Sequence, residues 1–78
     1  VPTVARVSGH RFFFYSNEGS EPPHVHVENG SSTAKVWLIP VSVARSTGFS
    51  ARELNALAKI VEERRTEFLK AWNDHFAS

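Results

Sequence analysis

A chain of 78 residues with nine Lys and Arg against eight Asp and Glu, and with no cysteine, excludes several classes at once. It offers no disulfide framework, thiolate metal site or thiol nucleophile, and its near-neutral charge lacks the electrostatic footprint of a dedicated DNA-binding domain. No apolar run approaches the roughly 20 residues that span a bilayer, and no charged start leads into an apolar leader, so the expectation is a cytoplasmic protein with no membrane partner.

At this size a single domain, 1–78, buries only about 60% of the surface its unfolded chain would expose, so a second copy or a partner is an expected source of stability. Strands are expected within 3–45 and a helix over about 51–76. Arg11 to Tyr15 is an aromatic run with high strand propensity, and Ser16-Asn17-Glu18-Gly19-Ser20-Glu21-Pro22-Pro23 after it is a loop. His24 to Glu28 reads as the second strand. Asn29-Gly30 readily enters a tight hairpin, so Thr33 to Ile39 is expected to return antiparallel. Pro40 cannot donate a ladder hydrogen bond and ends that strand, and Val41 to Arg45 alternates as a fourth, edge strand.

Ser50-Ala51-Arg52-Glu53 is a capping box, with Phe49 and Leu54 as its hydrophobic staple. From there Leu54, Leu57, Ala58, Val61, Phe68, Leu69, Trp72 and Phe76 fall in one stripe at 100° per residue. With nothing breaking it before Phe76, the helix would be on the order of 35 to 40 Å long and overhang the sheet. The predicted fold is α+β: a three- or four-stranded antiparallel meander followed by one long C-terminal helix packed on one face.

Because strand side chains alternate, His24, His26 and Glu28 project one way and Val25 and Val27 the other. This is the candidate site. Phe12 and Phe14 likewise alternate with Phe13 and Tyr15, and Val36 and Leu38 with Trp37 and Ile39. Both sheet faces therefore carry large apolar groups, and a single helix covers only one of them. An exposed patch of this kind marks an interface, which points to a homo-oligomer or a protein partner. The alternative is that the long helix bends and its aromatic tail wraps round the sheet edge, leaving a monomer.

Val1-Pro2-Thr3, Pro22-Pro23-His24-Val25-His26-Val27, and Leu54-x-x-Leu57 leading to Arg65, Leu69 and Trp72 together resemble the small bacterial proteins grouped as domain-of-unknown-function family 4160. The resemblance covers nearly the whole chain, and Pro-Pro-His-x-His-Val is its specific part. It implies a start at Met-Pro-Thr with Val1 standing in the first place. It also implies a bacterial cytoplasmic protein of no established activity, often encoded beside another small protein in an arrangement like a toxin-antitoxin pair.

Three chemistries compete at the His-Val-His strand. His24 and His26, with Glu28 or His10 as a third ligand, have spacing that permits an open zinc site, although histidines on a polar strand face without metal are the commoner case, and neither metal nor cofactor is expected. Arg65 falls near the middle of the helical stripe where Leu or Ile would be expected, and such a guanidinium usually finds a carboxylate, a carbonyl or a phosphate. Were His24, His26 and Arg65 to converge on one groove, they would supply the base, acid and cation of metal-free RNA cleavage. If Val25 and Val27 face the helix, however, the histidines face away from Arg65. No glycine-rich phosphate loop or Gly-x-Ser-x-Gly elbow is present, and the helix interleaves five positive with five negative charges.

The preferred expectation is binding, by a surface of Phe13, Tyr15, His24, His26, Glu28 and Trp37, to a copy of the chain or a small bacterial partner; RNA ranks below protein as a partner. A histidine-dependent enzyme, either a metal-free ribonuclease or a zinc-dependent hydrolase, is the alternative. Association through neutral histidines would weaken below about pH 6.

Overall fold

The computed structural model describes residues 3–15 and 19–76. Five strands, β1 (Thr3–Val7), β2 (His10–Phe13), β3 (His24–Asn29), β4 (Ser32–Leu38) and β5 (Val41–Thr47), form one antiparallel sheet in the order β1-β2-β3-β4-β5. Two helices follow, α1 (Ala51–Glu63) and α2 (Arg65–Phe76). The α+β class and the meander are as expected. The strand count and the single helix are not.

The additional strand is β1. Val7 pairs with His10 across Ser8-Gly9, where both residues have positive φ, 50° and 81°. That is the conformation of the tightest two-residue hairpins, and Ser-Gly supplies it at low steric cost. Two of the other strand connections are equally short. Asn29 closes on Ser32 around Gly30-Ser31, with positive φ at Gly30 only, so the turn sits one residue later than the Asn-Gly dipeptide implied. Leu38 closes on Val41 around Ile39-Pro40, and β4 ends before Pro40 as expected. The aromatic strand is shorter than its composition suggested, since Phe14 and Tyr15 lie beyond β2. The readings of Val1, Pro2 and residues 16–18 lie outside the described residues.

The helix begins as predicted. Ser50 Oγ accepts from the Glu53 amide at 3.1 Å, and Glu53 Oε1 accepts from the Ser50 amide at 2.8 Å. These two bonds satisfy amides that have no partner within the first turn. The first-turn amides also hold Glu53 ionised: hydrogen bonds from the Ser50 backbone, then its hydroxyl, lower the carboxyl pKa from its ordinary 4.5.

It does not run unbroken to Phe76. Arg64 has φ −105° and ψ 13°, and the interruption falls inside Glu62-Glu63-Arg64-Arg65-Thr66-Glu67, six polar residues between the buried Val61 and Phe68. With no apolar side chain to hold that turn on the sheet, the two halves seat separately. Leu57 and Val61 anchor α1, and Phe68 and Trp72 anchor α2. Trp72 and Phe76 do not overhang the sheet. Their rings pack against Phe14, at 5.3 and 6.0 Å between centroids, so the break turns the aromatic tail inward.

The tertiary structure also decides which sheet face is covered. Phe12, Phe14, Val25, Val27, Val36 and Leu38 are buried with Leu57, Val61, Phe68 and Trp72 in one core, and Phe12 and Phe68 lie ring to ring at 5.2 Å. Both helices therefore lie on the Val25-Val27 side. The opposite face bears Phe13, His26 and Trp37, and α2 reaches its His24 end through the Trp72 ring.

Candidate functional site

The open face is less apolar than the sequence implied, because charged neighbours and histidine wrap its aromatic rings. Phe13 is only 4% exposed. The Arg11 guanidinium stands 4.5 Å from the centre of its ring, His26 stacks on it at 5.5 Å with an interplanar angle of 24°, and Tyr15 meets it edge-on at 5.4 Å. Cation–π and edge contacts of this kind suit a surface where a ring must be shielded without a hydrophobic lid. Trp37, half-buried, has Lys35 Nζ 4.7 Å above its ring. Tyr15 remains 43% exposed, and its ring lies against His26 at 4.6 Å.

The two histidines share this face but differ in environment. His24 opens β3 and is completely enclosed, with the rings of Trp72, His26 and Trp37 at 4.9, 5.1 and 5.5 Å. Its Nδ1 lies 2.9 Å from the Pro22 carbonyl, which can only accept, so Nδ1 carries a proton and Nε2 is the other, buried nitrogen of a fixed tautomer. The Pro22-Pro23 segment thus holds the ring by a backbone bond, and Pro23 O accepts from the Leu38 amide at 3.0 Å. His24 is a fully packed ring here. His26, 7% exposed, lines the groove.

The proposed third partners go elsewhere. Glu28 faces the same way as the histidines, but its carboxylate accepts from Arg11 at 2.9 Å. His10, at the start of β2, lies against Phe49 at 6.0 Å, with Nδ1 3.3 Å from the Val7 carbonyl. Among the described residues no group of three His, Cys, Asp or Glu is placed to hold a metal ion. Arg65 is not in the apolar stripe. It is exposed at the start of α2, in the helical layer on the covered side of the sheet, so it does not converge with His24 and His26, and among the described residues it forms no ion pair. The stripe drifts past it because Val61 and Phe68, seven residues apart, take the buried places on either side of the break.

What the face does present is a groove of about 190 Å³ whose lining includes Phe13, Tyr15, His26, Thr33, Lys35 and Arg45. Lys35 is 8% exposed, with its Nζ 2.6 Å from Glu21 Oε1. Neither Lys35 nor Arg45 stands out in the sequence. Strict alternation along β5 from Val41 and Val43, both packed against the core, would turn Arg45 inward. The register shifts at this point: Val36 pairs with Val43 and Lys35 with Arg45, leaving Ala44 as the extra residue of a β-bulge. A bulge re-aims the side chains that follow it, and here it brings Arg45 and Thr47 to the open face.

Among the described residues, no helix is long and apolar enough to cross a membrane. The model of the family described as "Domain of unknown function (DUF4160)" matches residues 9–73. No curated protein and no solved structure matches the chain.

Proposed function

The chain belongs to the DUF4160 family, a domain of unknown function, and on that premise we propose that it is a binding module whose open sheet face docks a second protein chain. That chain is another copy or a small bacterial partner, as in a toxin-antitoxin-like pair, and the setting is the cytoplasm. The supporting observation is the division of the sheet. Both helices lie on one face, and the other carries a groove with the half-exposed Tyr15 ring at its wall. Rings held rigidly by neighbours are suited to interface anchoring, because little side-chain freedom is lost when a partner covers them. A histidine enzyme has less support: His24 is sealed from solvent and Arg65 lies in the other layer.

The test is purification of a tagged copy at native level from its own host, with analysis for protein, RNA and zinc. A stoichiometric protein partner or a dimer, weakened roughly tenfold by Tyr15→Ala, is the expected result. A monomer carrying RNA or zinc that is lost on His26→Ala would overturn this reading in favour of the enzyme.

A further inference from the structure

Strand register sets three basic side chains in one transverse row. His26 on β3 pairs with Lys35 on β4, and Lys35 pairs with Arg45 on β5, so all three leave the sheet on its open face. Like charges directly opposed across an antiparallel pair are destabilising. Glu21 relieves Lys35 at 2.6 Å, whereas among the described residues no carboxylate forms an ion pair with the exposed Arg45. The β5 bulge is what brings that guanidinium beside a lysine instead of into the core. Around it the groove supplies the hydroxyls of Thr33 and Thr47.

Resting on the binding reading above, we infer that this row receives a single carboxylate, an Asp or Glu side chain of the partner protein. The planar fork of Arg45 matches a carboxylate with two parallel hydrogen bonds, and the threonine hydroxyls can donate to the remaining lone pairs. The surroundings limit the ligand to one charge. Glu28 stands in the adjacent row, paired with Thr33 and Arg11 across the strands, and Glu21 lies beside Lys35. Both carboxylates already hold a cation, so between Lys35 and Arg45 only the arginine is left to meet an anion. That is too little for a chain that carries a phosphate at every nucleotide, and across residues 51–76 five positive and five negative charges cancel. A lone acidic side chain fits between them; a polyanion does not.

The test is amide-resolved NMR titration of the full chain with end-blocked Ala-Ala-Glu-Ala-Ala, with its Gln counterpart, with inorganic phosphate and with a short RNA. The Glu peptide is expected to give saturable shifts at Lys35 and Arg45, with the Gln peptide at least roughly tenfold weaker and Arg45→Gln abolishing the difference. Arg45 is exposed, so that variant should keep the parent spectrum elsewhere. Equal binding of both peptides, shifts that survive Arg45→Gln, saturation by phosphate or RNA in place of the Glu peptide, or no saturable shift would each overturn the inference. A partner complex that forms undiminished with Arg45→Gln would overturn the carboxylate alone and leave the binding reading standing. Absence of any complex would overturn that reading.

Discussion

Lys35 and Arg45 are directly opposite each other on β4 and β5 and share the open face of the sheet. Two positive charges in that relation cost stability in the free protein, and Glu21 compensates only the lysine. Arg45→Glu should therefore stabilise the isolated chain, by about 0.5 kcal/mol, while removing its capacity for a carboxylate. Urea denaturation followed by circular dichroism checks this. A midpoint below that of the parent would mean that the pair is not repulsive.

Two residues of α2 should respond very differently to truncation. Phe68 is fully buried against Phe12, and Phe68→Ala should cost about 3–5 kcal/mol, enough to unfold much of a domain this small. Arg65, three residues earlier and exposed, should tolerate Arg65→Ala within about 0.5 kcal/mol. Thermal melts of the two variants decide it, and a large loss at Arg65 would mean that its guanidinium packs inside.

Gly48 joins β5 to the helix cap with φ +89°, and a Cβ built there would lie 2.6 Å from Ser32 Oγ and 3.1 Å from Ser32 Cα. Backbone cannot move aside as a side-chain tip can. Gly48→Ala should destabilise by about 1–3 kcal/mol, measured by the same denaturation. Gly30→Ala has positive φ but open space around it, so its loss should be smaller, and the contrast isolates the contact with Ser32.

The capping carboxylate predicts a pH dependence with a definite sign. Glu53 has its pKa lowered by the Ser50 amide and hydroxyl, so its ionised form stabilises the fold above the ordinary carboxylate pKa of 4.5, and that contribution is lost as pH falls through the lowered value. Glu53→Gln keeps a hydrogen-bonding side chain but not the charge. The parent's advantage over this variant should be present at pH 6 and shrink as pH falls below 4.5. An advantage that does not change with pH would assign it to packing.

Much of this molecule is legible from short-range chemistry. The Ser50-Glu53 box, the stop at Pro40, the alternation of His24, Val25, His26 and Val27 and the burial of Leu57, Val61, Phe68 and Trp72 each follow from residues within a turn or a strand of one another. The α+β meander and the family resemblance follow from the same signals. β1 was legible in principle, through Ser8-Gly9 between Val7 and His10, but its mixed composition hides it beside the aromatic strand.

The site was legible only in part: alternation groups Phe13, Tyr15, His26 and Glu28, and all four line the groove, but which face the helices cover and which cations join that group were not. Phe12 and Phe13 are equally apolar in sequence, and only the packing of Phe68 against Phe12 decides which of them faces the helices and which is left among Arg11, Tyr15 and His26. Composition likewise does not tell that His26, Lys35 and Arg45 are neighbours. They lie nine and ten positions apart, and register alone makes them adjacent. A single bulged residue, Ala44, decides whether Arg45 points into the core or out to the groove. The sequence by itself determined the elements, because propensity, capping and turn chemistry act over a few bonds. The open face and its basic row were decided by the tertiary structure, because face and register depend on which surfaces the whole chain can bury together.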